Sequence, residues 1–295
     1  MFNTKHNPDI GAVETLADGL AVVTAPNASP MTFTGTRSYI LGERELALID
    51  PGPVDEAHFK ALIKAISGRR VSHIIVTHSH IDHSPLARKL AEAVDAPVLG
   101  YGPSGAGMSD VMQGLSGLEG GEGIDANFKP DVLVADGDKI ESVEWALEAI
   151  HTPGHMSNHL CFAWGGALFS GDHVMGWSTT LVSPPDGDLT QFMHSMRTLQ
   201  GRSESRFYPG HGDVLDDAQA MIAYQINHRL DREAQILNAL PGGVPEITAV
   251  IYQAIDKRLL PIAARNVFSH LIDLHQRNIV RVEGALSFNA RFTLV

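Results

Sequence analysis

Apolar and polar positions alternate over short stretches early in the chain and then switch to a helical spacing, and that change of period sets out the first elements. Leu20–Thr24, Arg37–Leu41 and Glu45–Ile49 are β-type runs separated by Gly and Pro, as expected for a meander of sheet strands. Asp50-Pro51-Gly52-Pro53 breaks the chain. Over residues 55–67, Phe59, Leu62, Ile63 and Ile66 share one helical face, and Gly68 follows as a stop. A strand over residues 71–77 then runs straight into His78-Ser79-His80-Ile81-Asp82-His83. Ser84 is placed to cap, and Pro85 to open, a helix reaching Val94, so this polar cluster sits on a strand-to-helix loop.

Further strands are expected at residues 97–99, 132–134, 145–150, Leu160–Trp164 and 167–170, with a helix over Leu189–Gln200. Sheets alternating with helices in this way predict an α/β layered fold. Residues 100–123 hold nine glycines among scattered polar positions, a composition that predicts a mobile flap without regular structure. A long helical stretch over residues 216–240 stops at Pro241-Gly242-Gly243, and the tail reads helix, helix, terminal β-hairpin. A chain of 295 residues is long enough for one large core and an appendage. The expected divisions are a catalytic domain over 1–215, a linking helix over 216–240 and a small domain over 241–295.

Composition narrows the class. Hydrophobic residues make up 44% and charged residues 19%, the profile of a folded globular chain. No apolar run is long enough to span a membrane and the first ten residues are polar, so a cytoplasmic protein without membrane contact is expected. The single cysteine, Cys161, excludes an intrachain disulfide and reads as strand packing between Leu160 and Phe162. A net charge of −12 argues against broad affinity for polyanions. Residues 251–295 nevertheless carry six basic side chains (Lys257, Arg258, Arg265, Arg277, Arg281, Arg291) against three acidic ones, a net +3 that keeps RNA open as a partner.

The chemistry lies in five histidines and two aspartates on short loops after strands. They are His78, His80, Asp82 and His83, then His155 in His151-Thr152-Pro153-Gly154-His155, Asp172 in Ser170-Gly171-Asp172-His173, and His211 in Tyr208-Pro209-Gly210-His211-Gly212. Neutral imidazole and carboxylate suit a borderline-soft divalent cation, and loops at strand ends can bring distant segments to one sheet edge. A lone His-x-His is weak evidence; four such segments together are not. Alternate loop residues can converge, so His78 and His80 could serve one ion and Asp82 and His83 another.

The succession H-x-H-x-D-H, a histidine after T-P-G, then G-D, then P-G-H-G resembles the metallo-β-lactamase superfamily over about residues 20–215. That resemblance implies a four-layer αββα sandwich with the metals at one edge of its two sheets. It assigns His78, His80 and His155 to a first metal, Asp82, His83 and His211 to a second, and Asp172 to both. The likeness extends to the β-lactamase-like protein branch, which groups with glyoxalase II-like hydrolases and includes endoribonucleases. The Asn227-His228-Arg229 stretch and a winged-helix-like C-terminal domain belong to this likeness. Three departures are informative. Asp82-His83-Ser84-Pro85-Leu86 replaces the usual D-H-x-G-G, so the helix start must pack differently. Asp172 stands where zinc β-lactamases usually place cysteine, which disfavours a β-lactam substrate. His80 stands where flavodiiron proteins have glutamate, which disfavours a redox role.

The resemblance implies two divalent ions, zinc by preference with Mn2+ or Fe2+ as alternatives, sharing a water whose pKa falls from 15.7 to about 7. The resulting hydroxide would be the nucleophile, with Asp82 as the catalytic group that orients it and passes its proton on. Asp50 and Thr77 are expected to hold ligand imidazoles from behind, although Asp50 also reads as a turn cap. His159, His173, Ser178, Thr179 and Thr180 are candidates for substrate contact or ligand support, set against ordinary packing. His228 reads as an interdomain hydrogen bond, and His6, His58, His73, His194, His270 and His275 as structural or exposed. The reading is a hydrolase of a small ester, thioester or related acyl compound; the alternatives are an RNA phosphodiesterase and a binding protein on an inactive fold.

Overall fold

The computed structural model describes residues 2–115, 118, 123–254 and 256–295. A first sheet begins as the expected meander: β1 (Val13–Ala17), β2 (Leu20–Thr24), β3 (Arg37–Leu41) and β4 (Glu45–Ile49) pair antiparallel in sequence order. Helix α1 (Glu56–Ile66) then carries the chain over one face, so β5 (Arg70–Ile75) joins β4 in parallel. Helix α2 (Leu86–Val94) does the same for β6 (Val98–Gly100), beyond which lie α3 (Asp110–Gln113) and the last parallel strand, β7 (Val132–Leu133). The second sheet has β8 (Lys139–Glu141), β9 (Ala146–His151), β10 (Leu160–Trp164) and β11 (Ala167–Gly171) as antiparallel neighbours. Helix α4 (Leu189–Gln200) crosses over to β12 (Arg206–Pro209), which pairs parallel to β11.

Burial follows the two-residue period of a strand, with successive side chains on opposite faces. In β4, Ala47 and Ile49 face the second sheet, and Leu46 and Leu48 face α1 and α2. In β10, Leu160 and Phe162 point into the same inter-sheet core, and Cys161 points to α4. Three cores therefore separate four layers: α1 and α2, the first sheet, the second sheet, then α4 with α5 (Ala218–Asn238). This is the αββα sandwich that the ligand motifs implied.

The tail after α5 contains β13 (Gly242–Gly243), α6 (Val244–Ile251), α7 (Leu260–Gln276), β14 (Val280–Glu283) and β15 (Arg291–Leu294), with strand order β13-β15-β14. Two helices and a small antiparallel sheet around Val267, Phe268, Leu271 and Phe292 make the winged-helix arrangement. Gly242 and Gly243 do more than stop a helix, because they pair with Phe292 and Arg291.

Three expectations need correction. Ser84 does not cap α2: Pro85 holds the N-cap position, and the Ser84 hydroxyl donates to Asp125 Oδ2 at 2.9 Å. The glycine-rich stretch is not devoid of structure, since Ser109 caps α3 and Met112 is buried in the tail's core with Met108, Val111, Leu115 and Leu118 packed around it. The reading of mobility for residues 116–117 and 119–122 lies outside the described residues. Finally, β1, β8 and β12 were absent from the sequence reading. All three are sheet edges; β1 and β8 are largely exposed and so need no apolar run, whereas β12 buries Phe207, Tyr208 and Pro209 but is only four residues long.

Candidate metal centre

The ligand loops leave the sheets at one end. The segment 78–83 follows β5, His155 follows β9, Asp172 follows β11 and His211 follows β12. Two ligand groups result: His78, His80, His155 and Asp172 form one, and Asp82, His83, Asp172 and His211 the other, with all ligand atoms of each group within 4.8 Å of one another. Asp172 belongs to both. His80 Nδ1 lies 2.9 Å from His78 Nε2 and 3.0 Å from His155 Nε2. His211 Nε2 lies 3.0 Å from Asp82 Oδ2 and 3.3 Å from Asp172 Oδ2. All seven predicted ligands are therefore brought together.

Hydrogen bonds behind the rings assign the tautomers. The hydroxyl of Thr77 donates its only proton to Asp50 Oδ2 at 2.8 Å, so its oxygen accepts from His78 Nδ1 at 2.9 Å and leaves His78 Nε2 as a lone pair facing the site. His83 donates Nδ1–H to Asp50 Oδ2 at 2.9 Å. His155 donates Nδ1–H to the Leu181 carbonyl at 2.8 Å, and His211 donates to the Gly35 carbonyl at 3.2 Å. Asp50, which also accepts from Thr77 N–H at 2.7 Å, holds the His83 ring directly and the His78 ring through the Thr77 hydroxyl; its backbone sits at φ 53°, a left-handed conformation that Asp tolerates better than most residues.

The charges divide the site. Burial, then the neighbouring imidazoles His83 and His80, hold His78 well below its ordinary pKa; burial and His155 bring His80 to about 3, and burial lowers His155. Burial opposes protonation of His83 and His211 too, but Asp82 and Asp172, joined by Asp50 at His83, outweigh it. They raise His83 well above its usual value and His211 to about 10. Burial likewise opposes ionisation of both site aspartates, yet His83 and His211 keep Asp82 and Asp172 ionised far into acid. Two adjacent carboxylates thus draw protons onto the rings where a cation would otherwise sit.

The residues fit a pair of divalent cations. Asp172 Oδ1 is buried without a hydrogen-bond partner, and His80 Nδ1 faces the Nε2 atoms of both His78 and His155, of which one proton can satisfy only one. The motif glycines are needed at this spacing. A Cβ on Gly210 would overlap Asp172 Oδ1 and come within 2.6 Å of His83 Cε1; one on Gly171 would lie 2.6 Å from His159 Nε2.

The further candidates divide differently. His159 accepts from Asp172 N–H at 3.3 Å and meets Thr152 Oγ1 at 2.8 Å, and Thr180 Oγ1 donates to Asp172 O at 2.9 Å, so both stand behind a ligand. His173 is buried with its ring against Phe192 and touches no ligand through a hydrogen bond. Ser178 donates to the Thr179 carbonyl at 3.2 Å; both residues are half-buried. His228 makes no interdomain hydrogen bond through Nδ1, and its ring stacks on Tyr224. Cys161 packs as expected, its thiol pushed up to about 12 by burial. Trp177 opens the loop over residues 177–188, which follows Asp172 and is expected from the sequence to line the pocket; its ring stacks at 5.1 Å on Phe33, which the sequence does not single out, beside Gly212, one residue past His211. Leu181, in the same loop, and Gly35 act through backbone carbonyls, contacts that leave no side-chain signal in the sequence. A depression of about 490 Å3 lined by Trp164, Arg206 and Tyr208 lies at the opposite strand ends, where Arg206 pairs with Asp216.

Two ligand sets sharing one aspartate at the edge of an αββα sandwich define a metallohydrolase scaffold with room for two ions. Residues 31–211 match the model of the metallo-β-lactamase superfamily and residues 244–288 that of the β-lactamase-associated winged-helix domain; the chain belongs to that superfamily and is a hydrolase of that fold. It is 31% identical over 289 residues to the β-lactamase-like protein 2 homolog of Drosophila melanogaster, covering 92% of this chain and 93% of that protein. Over 243 residues it is 31% identical to an atrochrysone carboxyl ACP thioesterase of Aspergillus fumigatus, covering 79% of this chain and 68% of that one. The crystal structure of a β-lactamase domain protein from Burkholderia ambifaria superposes with a TM-score of 0.81 at 19% identity, over 99% of this chain and 96% of that one, which shows the shared fold.

Proposed function

We propose that the chain hydrolyses an ester or thioester of a small acyl compound, using two zinc ions held by His78, His80, His155 and Asp172 and by Asp82, His83, Asp172 and His211. The observation that carries this reading is the convergence of the two ligand groups on Asp172. Bound as a pair, divalent cations supply Lewis acidity and lower the pKa of a shared water. Asp82 keeps 20% of its side chain exposed where Asp172 keeps 8%, so Asp82 is the carboxylate open to a reacting molecule and able to hold or pass a proton. The stacked Phe33 and Trp177 provide an apolar wall beside His211 for an acyl group. A relative with a thioesterase name points the same way.

RNA is not favoured as the substrate. In the tail, Arg277 pairs with Glu233 and Arg291 with Glu246, acidic groups from outside residues 251–295 that offset two of the three net positive charges. Arg265 donates to the Pro184 carbonyl at 3.0 Å and is drawn toward the catalytic domain. No helix is long and apolar enough to cross a membrane among the described residues. The zinc-loaded protein is expected to turn over thioesters and activated esters, and Asp82→Asn to lower kcat roughly a hundredfold or more, the order expected of a general acid–base group. Cleavage of single-stranded RNA with no turnover across a broad acyl panel would reverse the assignment.

A further inference from the structure

Residues 176–188, between β11 and α4, make two contacts that reach the ligands, and they do so from adjacent residues. Thr180 Oγ1 donates to the Asp172 carbonyl at 2.9 Å and lies 3.0 Å from that of His173, while the Leu181 carbonyl takes the Nδ1 proton of His155 at 2.8 Å. One short piece of backbone therefore aims His155 and supports the strand end that presents Asp172. That piece belongs to no helix or strand, so no backbone ladder of its own holds it in place.

Helix α5 holds it instead. Gln225 Oε1 accepts from Thr180 N–H at 3.3 Å, and Arg229 Nη2 donates to the Thr180 carbonyl, so both backbone groups of Thr180 are gripped by side chains one helical turn apart. Arg229 is 2% exposed, lies over the Phe192 ring at 5.2 Å, and has no carboxylate partner among the described residues. A buried cation without a counter-ion weakens a fold, and an apolar residue of similar volume would pack there at lower cost. Its presence is accounted for by the carbonyl it grips.

We infer that Gln225 and Arg229 are positioning residues of the metal centre: they lock the backbone on either side of Thr180 so that His155 and Asp172 keep their aim. The inference rests on the metal-ligand assignment above. It gives the linking helix, and through it the winged-helix domain, a part in catalysis that needs no nucleic acid. Helix α7 supports the same segment through the Arg265 contact to Pro184.

Cobalt(II) titration of the metal-free, full-length protein, read by the visible d–d absorption of the bound ion, tests this. Arg229→Met is expected to weaken cobalt binding roughly 10- to 100-fold, the usual consequence of removing the support of a ligand, and to shift the absorption. Arg229→Lys should restore part of both, and Gln225→Leu combined with Arg229→Met should add little beyond Arg229→Met alone. Ile236→Ala, a cavity on the same helix away from the segment, should lower Tm and leave the cobalt spectrum unchanged. Should Arg229→Met fail to fold, Thr180→Val interrupts the relay at its next link and carries the same expectation. Wild-type affinity and spectrum in Arg229→Met or Thr180→Val, or an equal spectral change in Ile236→Ala, overturns the clamp while leaving the metal site standing. A wild-type chain that takes up no cobalt overturns the metal site itself, and the clamp with it.

Discussion

At the scale of single residues, the centre depends as much on what is absent as on what coordinates. Gly210 precedes His211 and faces Asp172 and His83 so closely that no Cβ fits between them. Gly210→Ala is therefore expected to keep its secondary structure by circular dichroism but to lose at least one equivalent of bound metal, with a roughly 10- to 100-fold fall in affinity. Elemental analysis of the purified variant checks this; full metal content would show that the site gives way more easily than the contacts imply. The seven ligands were legible in the sequence because imidazole, carboxylate and the small residues that aim them announce themselves by type. Asp50 and Thr77 were legible because they end strands beside the ligands. Leu181 and Gly35 were not, since any residue offers the carbonyl that they supply.

At the scale of elements, the amphipathic helices and central strands follow from spacing, and their ends follow from caps. Asp188 illustrates the strongest cap: it accepts from Thr190 N–H at 2.9 Å, Gln191 N–H at 3.2 Å and Ser109 Oγ at 2.7 Å, tying α4 to the approach of α3. Loss of an N-cap costs about 1 kcal/mol, and the buried donors left unpaired add to it. Asp188→Ala should therefore destabilise the protein by about 1–3 kcal/mol in denaturant unfolding, and a change below about 0.5 kcal/mol would show that water replaces the carboxylate. The edge strands β1 and β8 are not legible in the sequence because a strand paired on one side needs few apolar residues; β12, although Phe207, Tyr208 and Pro209 are buried, is too short for its period to show. Helix α3 escaped it because Met108, Val111, Met112 and Leu115, although at helical spacing, lie among glycines whose composition dominated.

At the scale of the whole molecule, buried histidines set the response to pH. Burial lowers His58 to about 4 and His173 to about 3, and holds His159 and His270 well below their ordinary value. Each is neutral in the fold and takes up a proton near 6.5 once unfolded. Their contribution is present above that value and lost as pH falls from 6.5 toward 4, by up to about 1.4 kcal/mol per pH unit for each. His83 and His211 have the opposite sign. Raised in the metal-free fold, they contribute fully below 6.5 and lose that contribution as pH rises, His211 through about 10. The chelated protein should thus have its highest Tm near neutrality and lose stability on both sides. Zinc should remove the alkaline fall, because a cation takes the place of the ring protons. Calorimetry in chelator and in excess zinc between pH 5 and 9.5 decides this; a zinc effect equal at every pH would mean that the cation does not displace those protons.

The sequence by itself determined the chemistry and the class of fold, because ligand type, glycine punctuation and hydrophobic period are local properties that need no neighbours to be read. Which ring nitrogen each histidine turns inward and which helix grips the backbone behind His155 were decided only by tertiary structure. Apart from the bond of His78 to its neighbour Thr77, those features are hydrogen bonds and contacts between residues from 26 to 176 positions apart, and what they bond to is backbone as often as side chain. A carbonyl acquires a role from where the fold delivers it and not from the residue that carries it.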